Sequence, residues 1–188
     1  MKTTSRTKKI VVIGMLCAVA FIVTWLSKFI PITIAGFLTF DFKDAILMIA
    51  AFMLGPVPAV IVSIVASVIE MLTISTTGPI GLLMNVLSSC AFILPGAFIY
   101  MTGRKFKRAI IGILCGILAM TVTMLLWNWW ITPLYMGVGR EVVVGMLFPI
   151  FLPFNLVKGA INGAIAVLLY KPLIRALRKA RLLPESRS

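Results

Sequence analysis

The stretch "PFNLVKGAIN", residues 153–162, lies in one of the most apolar parts of the chain and yet carries Asn155, Lys158 and Asn162. In a helix, positions i, i+3 and i+7 share one face, so the three side chains form a single polar stripe. A lysine inside a bilayer costs about 2.5–3.5 kcal/mol unless it snorkels or meets a partner, so Lys158 is expected to face a ligand or a carboxylate such as Glu70. The stripe marks a membrane helix whose polar side is turned to a function.

The rest of the chain agrees with a membrane protein. Of its 188 residues, 61% are apolar and 12% charged, and the mean hydropathy of +1.12 is far outside the range of soluble domains. Eighteen basic residues against five acidic ones give a net charge of +13, which in a soluble protein would point to nucleic acid. Their distribution excludes that partner. Lys2, Arg6, Lys8 and Lys9 precede the first apolar run; Arg104, Lys105, Lys107 and Arg108 separate two later ones; Lys171, Arg175, Arg178, Lys179, Arg181 and Arg187 follow the last. Such clusters hold loops in the cytoplasm and meet the headgroups of the lipid bilayer.

Six apolar runs are candidates for membrane helices, at about 9–29, 42–54, 57–76, 81–102, 109–131 and 145–170. They predict an all-α, six-helix transmembrane bundle over 1–188, a single domain with both termini cytoplasmic. The first run lacks a small-x-small cleavage site and is expected to stay as a helix rather than act as a secretory signal. The second spans only about 20 Å at 1.5 Å per residue, so it is tilted, re-entrant or protected by its neighbours. "LGPVPA" (54–59) and "TTGPIG" (76–81) are turn chemistry. The outward loops "PITIAGFLTF" and "TPLYMGVGREVVV" are too apolar to stand in water and are expected to fold back as a cap.

Small residues four apart let helices approach closely. Gly112 with Gly116 and Gly159 with Gly163 read as packing within the bundle, whereas the Gly14 and Ala18 face of the first helix could equally receive another protein.

Polar residues collect at one depth. Asn85 near the outer start of the fourth helix and Asn128 near the outer end of the fifth join Asn155 and Lys158 around one outward vestibule. Amides read the edge of a flat heteroaromatic ring and aromatic faces stack on it. Trp127, Trp129 and Trp130 also fit an interfacial belt, the preferred reading for at least two of them. Asp41 and Asp44 open the short second helix as N-caps and dipole partners with outer solvent access, and Lys43 between them neutralises the pair. Arg140 and Glu141 are read as exposed loop charges.

Several classes are excluded. The chain has no phosphate-binding Gly-x-x-x-x-Gly-Lys-Ser/Thr loop and no histidine for a Ser-His-Asp set. Cys17, Cys90 and Cys115 have no metal-ligand spacing and read as packing residues. No catalytic residue, metal or cofactor is expected.

"FLTFDFKDAILMIAAFMLGPVPAVI" (37–61), "STTGPIGLLMNVLSS" (75–89) and "PFNLVKGAIN", in this order over nearly the whole chain, resemble the substrate-binding S components of energy-coupling factor (ECF) vitamin transporters, in particular those for riboflavin. The resemblance implies a non-enzymatic subunit of the cell membrane that captures riboflavin, a substrate rather than a cofactor, from outside. It implies flavin contacts by Asn155, Lys158 and Asn128, with Asn85 in the matching fourth-helix motif and Leu38, Phe40 and Asp41 in the cap loop. It further implies docking of the first-helix face on the coupling subunit EcfT, where many relatives have Ala-x-x-x-Ala and this chain has Gly14 and Ala18. Two ATPase subunits would supply the energy. The alternatives are an S component for FMN, whose phosphate Lys43 or Arg140 could meet, or for another vitamin; a membrane enzyme or assembly factor acting on lipid-linked substrates; or a purely structural subunit.

Overall fold

In a computed structural model, which describes residues 2–29, 33–34 and 38–180, the chain is nearly all helix. The elements in order are α1 (Lys2–Ser27), β1 (Thr33–Ile34), β2 (Leu38–Thr39), α2 (Lys43–Leu54), α3 (Pro56–Thr73), α4 (Gly78–Met101), α5 (Phe106–Trp130), α6 (Thr132–Met136), α7 (Arg140–Met146), a π-helical turn (Leu147–Phe151) and α8 (Leu152–Lys179). Pro31, Ile32, the "AGF" at 35–37, Arg181 and Arg187 lie outside the described residues. Among the described residues, five helical spans are long and apolar enough to cross a membrane: Arg6–Ser27, Pro56–Thr73, Gly78–Met101, Phe106–Trp130 and Arg140–Leu177.

The short helix α2 is the centre of the fold. Every residue from Lys43 to Phe52 is buried, and α1, α3, α4 and α8 pack around it. Surrounded by protein, its twelve residues need not match the bilayer thickness, because no backbone polar group meets lipid. Gly55 then turns the chain at φ 95°, a left-handed conformation that favours glycine, and Pro56 starts α3 with its ring already in helical geometry.

Close helix contacts rest on glycine. A Cβ at Gly116 would come 2.2 Å from the Phe92 carbonyl oxygen, and one at Gly112 would come 3.0 Å from the Gly96 backbone. The α4–α5 pair is therefore packed backbone to backbone, as the glycine spacing predicts. Gly159 and Gly163 face Ile117, Met120 and Ile113 across the α5–α8 contact. Gly14 and Ala18 are exposed on the outer side of α1, and a Cβ at Gly14 would meet nothing within 4 Å.

Both apolar connections have structure of their own. Between α1 and α2 the chain forms an antiparallel hairpin, pairing Thr33 with Thr39 and Ile34 with Leu38. Leu38 and Phe40 are buried and pack with Val143, Phe151 and Phe154. The expected loop at 132–144 is largely helical, as α6 and the start of α7. Arg140 and Glu141 are exposed, in the first turn of α7 and not in a loop. Arg140 lies over the Trp129 ring at 4.9 Å, a cation–π contact.

The π-helical turn has a cause in the sequence. Pro153 has no N–H to give the Pro149 carbonyl and its ring would crowd that carbonyl, so the ladder cannot continue at regular α spacing. The chain widens instead, and the Leu152 amide reaches back five residues to the Leu147 carbonyl. This widening sets the rotation of α8, and with it the direction in which Asn155, Lys158 and Asn162 point.

Candidate substrate site

One end of the bundle carries the hairpin, the α3–α4 turn and the α5–α8 connection, and a polar cavity opens there. Its empty space, counted out to the open mouth, is about 730 Å³. The floor and walls bring together Glu70 of α3, Asn85 and Ser88 of α4, Asn128 of α5, and Asn155 and Lys158 of α8. Leu38, Met84, Met124 and Phe154 supply apolar surface, and Lys28, Thr39 and the hydroxyls of Ser75, Thr76 and Thr77 complete the lining.

The lysine of the stripe is paired. Lys158 Nζ lies 2.9 Å from Asp41 Oδ2 and 3.5 Å from Asp44 Oδ2. An ammonium has three N–H donors, and of the two carboxylates only Asp41 takes one in a hydrogen bond, so donor capacity remains for the cavity that Lys158 lines. Asn162 braces the arrangement from one turn further along: its Oδ1 accepts the Ala45 N–H at 2.9 Å, and its Nδ2 donates to the Asp41 and Lys158 carbonyls, each at 3.0 Å. It is fully buried, so the third member of the stripe is a structural clamp between α8 and the start of α2.

The second lysine, Lys43, is completely buried and reaches Glu70 Oε2 at 2.6 Å. Asn85 Nδ2 donates to the same oxygen at 3.3 Å. Glu70 is thus the partner of Lys43 and not, as the sequence allowed, of Lys158. Asp41 and Asp44 are not reached by solvent as their position suggested, although Asp41 Oδ1 does accept the Lys43 N–H at the opening of α2 at 3.3 Å. Phe42 occupies the N-cap without a side-chain bond, and both carboxylates are buried against Lys158. The reason is depth: with α2 enclosed on all sides, its first turn opens into protein, where a carboxylate left without a cation is costly. Ser89 Oγ donates to Asp44 Oδ1, and Asp44 Oδ2 has no hydrogen bond. Asp41, Asp44 and Glu70 against Lys43 and Lys158 leave one formal negative charge.

Two asparagines keep capacity for a ligand. Asn155 Nδ2 donates to the Phe151 carbonyl in its own helix at 2.7 Å. Asn128 Nδ2 donates to the Met124 carbonyl at 2.6 Å and its Oδ1 accepts from Thr132 Oγ1 at 2.8 Å. Each side chain is held in one rotamer by these bonds, while an amide's two donors and two lone pairs leave it able to bind further.

Of the residues singled out in the sequence, Leu38, Asn85, Asn128, Asn155 and Lys158 line the cavity. Phe40 and Asp41 stand behind it: Phe40 packs edge-on against Phe154 at 6.3 Å and faces a separate apolar groove, and Asp41 holds Lys158. None of the three tryptophans is among the lining residues. Trp129 and Trp130 are exposed, and Trp127 faces a smaller side pocket. Lys43 and Arg140 are also absent from the lining, the first fully buried against Glu70 and the second on Trp129. Sequence reasoning passed over Lys28, Ser88 and the hydroxyls at 75–77, which read there only as turn chemistry. It also missed Ser89 and the Lys43–Glu70 pair; the signal for that pair was an acid inside an apolar run.

The chain matches the family described as "ECF transporter, substrate-specific component" over residues 8–174. It is 30% identical to riboflavin transporter RibU of Staphylococcus aureus (strain TCH60), covering 92% of this chain and 93% of the relative. It is 28% identical to riboflavin transporter FmnP of Bacillus subtilis (strain 168), covering 94% and 99%. A solved S component of a bacterial ECF transporter superposes with a TM-score of 0.75 at 30% identity, over 92% of this chain and 98% of the other. Together with the apolar spans, these place the protein in the cell membrane as a multi-pass transport component and not an enzyme. The chain belongs to the substrate-specific components of ECF transporters.

Proposed function

We propose that this protein captures riboflavin in the cavity at the hairpin end and delivers it across the membrane with an ECF energising module. The observation that carries the reading is the cavity itself, in which Asn128, Asn155 and Lys158 converge with spare hydrogen-bonding capacity beside apolar walls, in a chain whose relatives are named riboflavin transporters. In this reading the amides and the lysine hold the polar edge of the isoalloxazine, and Asn85 sits beside them. Leu38, Met84, Met124 and Phe154 cover its faces. Phe40 and Asp41 act from behind, one by seating the hairpin and the other by orienting Lys158.

Six helices would cross the membrane, the enclosed α2 among them, with both termini in the cytoplasm. The basic residues support this orientation: Lys8, Lys9, Arg104 to Arg108 and Lys171 to Lys179 lie at the end of the bundle opposite the cavity, and positive segments stay inside. The cavity then opens outward beneath the hairpin as a cap. The exposed Gly14 and Ala18 face would meet EcfT, with two ATPase subunits behind it. FMN is the less favoured ligand: the relatives are named riboflavin transporters, and the two cations expected to meet its phosphate, Lys43 and Arg140, are not among the lining residues.

Reconstitution tests the function. Proteoliposomes holding this chain with EcfT and the two ATPases should accumulate riboflavin when ATP is supplied, and those holding the chain alone should bind it without accumulation. Chemical conversion of a lipid-linked or soluble substrate by the isolated chain would contradict the reading.

A further inference from the structure

Among the described residues lining the cavity, Glu70 is the one carboxylate. It is 5% exposed, and both of its protein hydrogen bonds fall on one oxygen: Lys43 Nζ at 2.6 Å and Asn85 Nδ2 at 3.3 Å both reach Oε2. Among the described residues, Oε1 has no protein hydrogen bond. A carboxylate accepts and never donates, so a cavity that presents one asks for an N–H or O–H on its ligand. Other lining groups can donate: Lys158 through N–H not used by Asp41, and the amides of Asn128 and Asn155.

From this arrangement we infer that Glu70 is a specificity-determining residue that accepts the imide N–H of the ligand ring. The inference rests on the riboflavin reading above. The polar edge of an isoalloxazine is carbonyl, N–H, carbonyl, and an acceptor flanked by donors is its complement. Lys43 and Asn85 both hold Glu70 by Oε2, so the acceptor is preset before the ligand arrives. The same edge occurs in other cyclic imides and ureides, and a ring with C–H in place of that N–H would leave the buried carboxylate unmatched.

Glu70→Gln tests this with size unchanged. Lys43 and Asn85 both donate to Oε2, so the glutamine must keep its oxygen there and turn its NH₂ to the cavity, where it opposes the ligand N–H. Binding of riboflavin and of its analogue with C–H replacing the imide N–H is measured by fluorescence quenching on purified wild type and variant. Wild type should prefer riboflavin by about tenfold or more, and the variant should lose most of that preference. Equal weakening of both ligands, or an unchanged preference, would overturn the role and leave Glu70 as the partner of Lys43. If the glutamine variant does not fold, Glu70→Asp replaces it: the carboxylate withdrawn by one methylene should narrow the preference, and an unchanged preference overturns the role. Wild type that binds both ligands equally also overturns it. Wild type that binds neither overturns the riboflavin reading instead.

Discussion

Lys158 and Asp41, 117 residues apart in sequence, form a buried ion pair at 2.9 Å. Their contact joins the last helix to the lead-in of α2, and it sets the direction of the ammonium that lines the cavity. A lysine held between two carboxylates is stable in a membrane bundle, and its spare donor capacity is what the proposed site would use.

Asn155→Ala is the cleanest probe of the site. Among the described residues its one side-chain hydrogen bond is to the Phe151 carbonyl, one turn back, so its loss should leave the bundle intact. Riboflavin affinity should fall about ten- to a hundredfold, the worth of one or two hydrogen bonds in a desolvated site. Fluorescence titration together with a melting curve in detergent separates binding from folding.

Lys158→Ala should affect both. It removes a proposed ligand donor and leaves Asp41 and Asp44 without their cation, a loss of about 3–5 kcal/mol for a broken buried pair. Lys158→Ala combined with Asp41→Asn should recover part of the melting temperature and none of the flavin affinity.

The Lys43–Glu70 pair makes a similar separation. Lys43→Met leaves Glu70 buried without its ammonium and should lower stability by about 3–5 kcal/mol. Adding Glu70→Leu should restore much of the stability, because a buried pair is replaceable by well-packed apolar groups. Thermal unfolding of the single and double variants in the same detergent checks the sign.

Gly116→Ala and Gly14→Ala should behave oppositely although each adds one methyl group. At Gly116 the new Cβ meets the Phe92 carbonyl at 2.2 Å, and the helices must part, a destabilisation of about 1–3 kcal/mol. At Gly14 there is nothing within 4 Å, so stability and flavin binding should be unchanged. A bulkier Gly14→Leu should still bind flavin but transport it several times more slowly with the energising module.

Much of this was legible before the structure. Helical spacing put Asn155, Lys158 and Asn162 on one face, and the cost of a lysine in a bilayer demanded a partner for it. Which partner could not be read, because local rules made Asp41 and Asp44 the caps of a helix end and left Glu70 for Lys158. That inversion comes from tertiary enclosure: α2 was visibly too short to span, but only the packing of α1, α3, α4 and α8 around it turns its first turn into an interior. The hairpin in the first connection and the π-helical turn before Asn155 carried no sequence signal as strong. Pro149 and Pro153, four apart, are the trace of the second.

The most direct test is the visible absorption spectrum of the purified, detergent-solubilised protein, before and after equilibration with riboflavin and gel filtration. Flavin bands that travel with the wild-type protein and are lost in Asn155→Ala and Lys158→Ala would support capture of riboflavin in this cavity. A folded wild-type protein that stays colourless and leaves riboflavin fluorescence unchanged would contradict it.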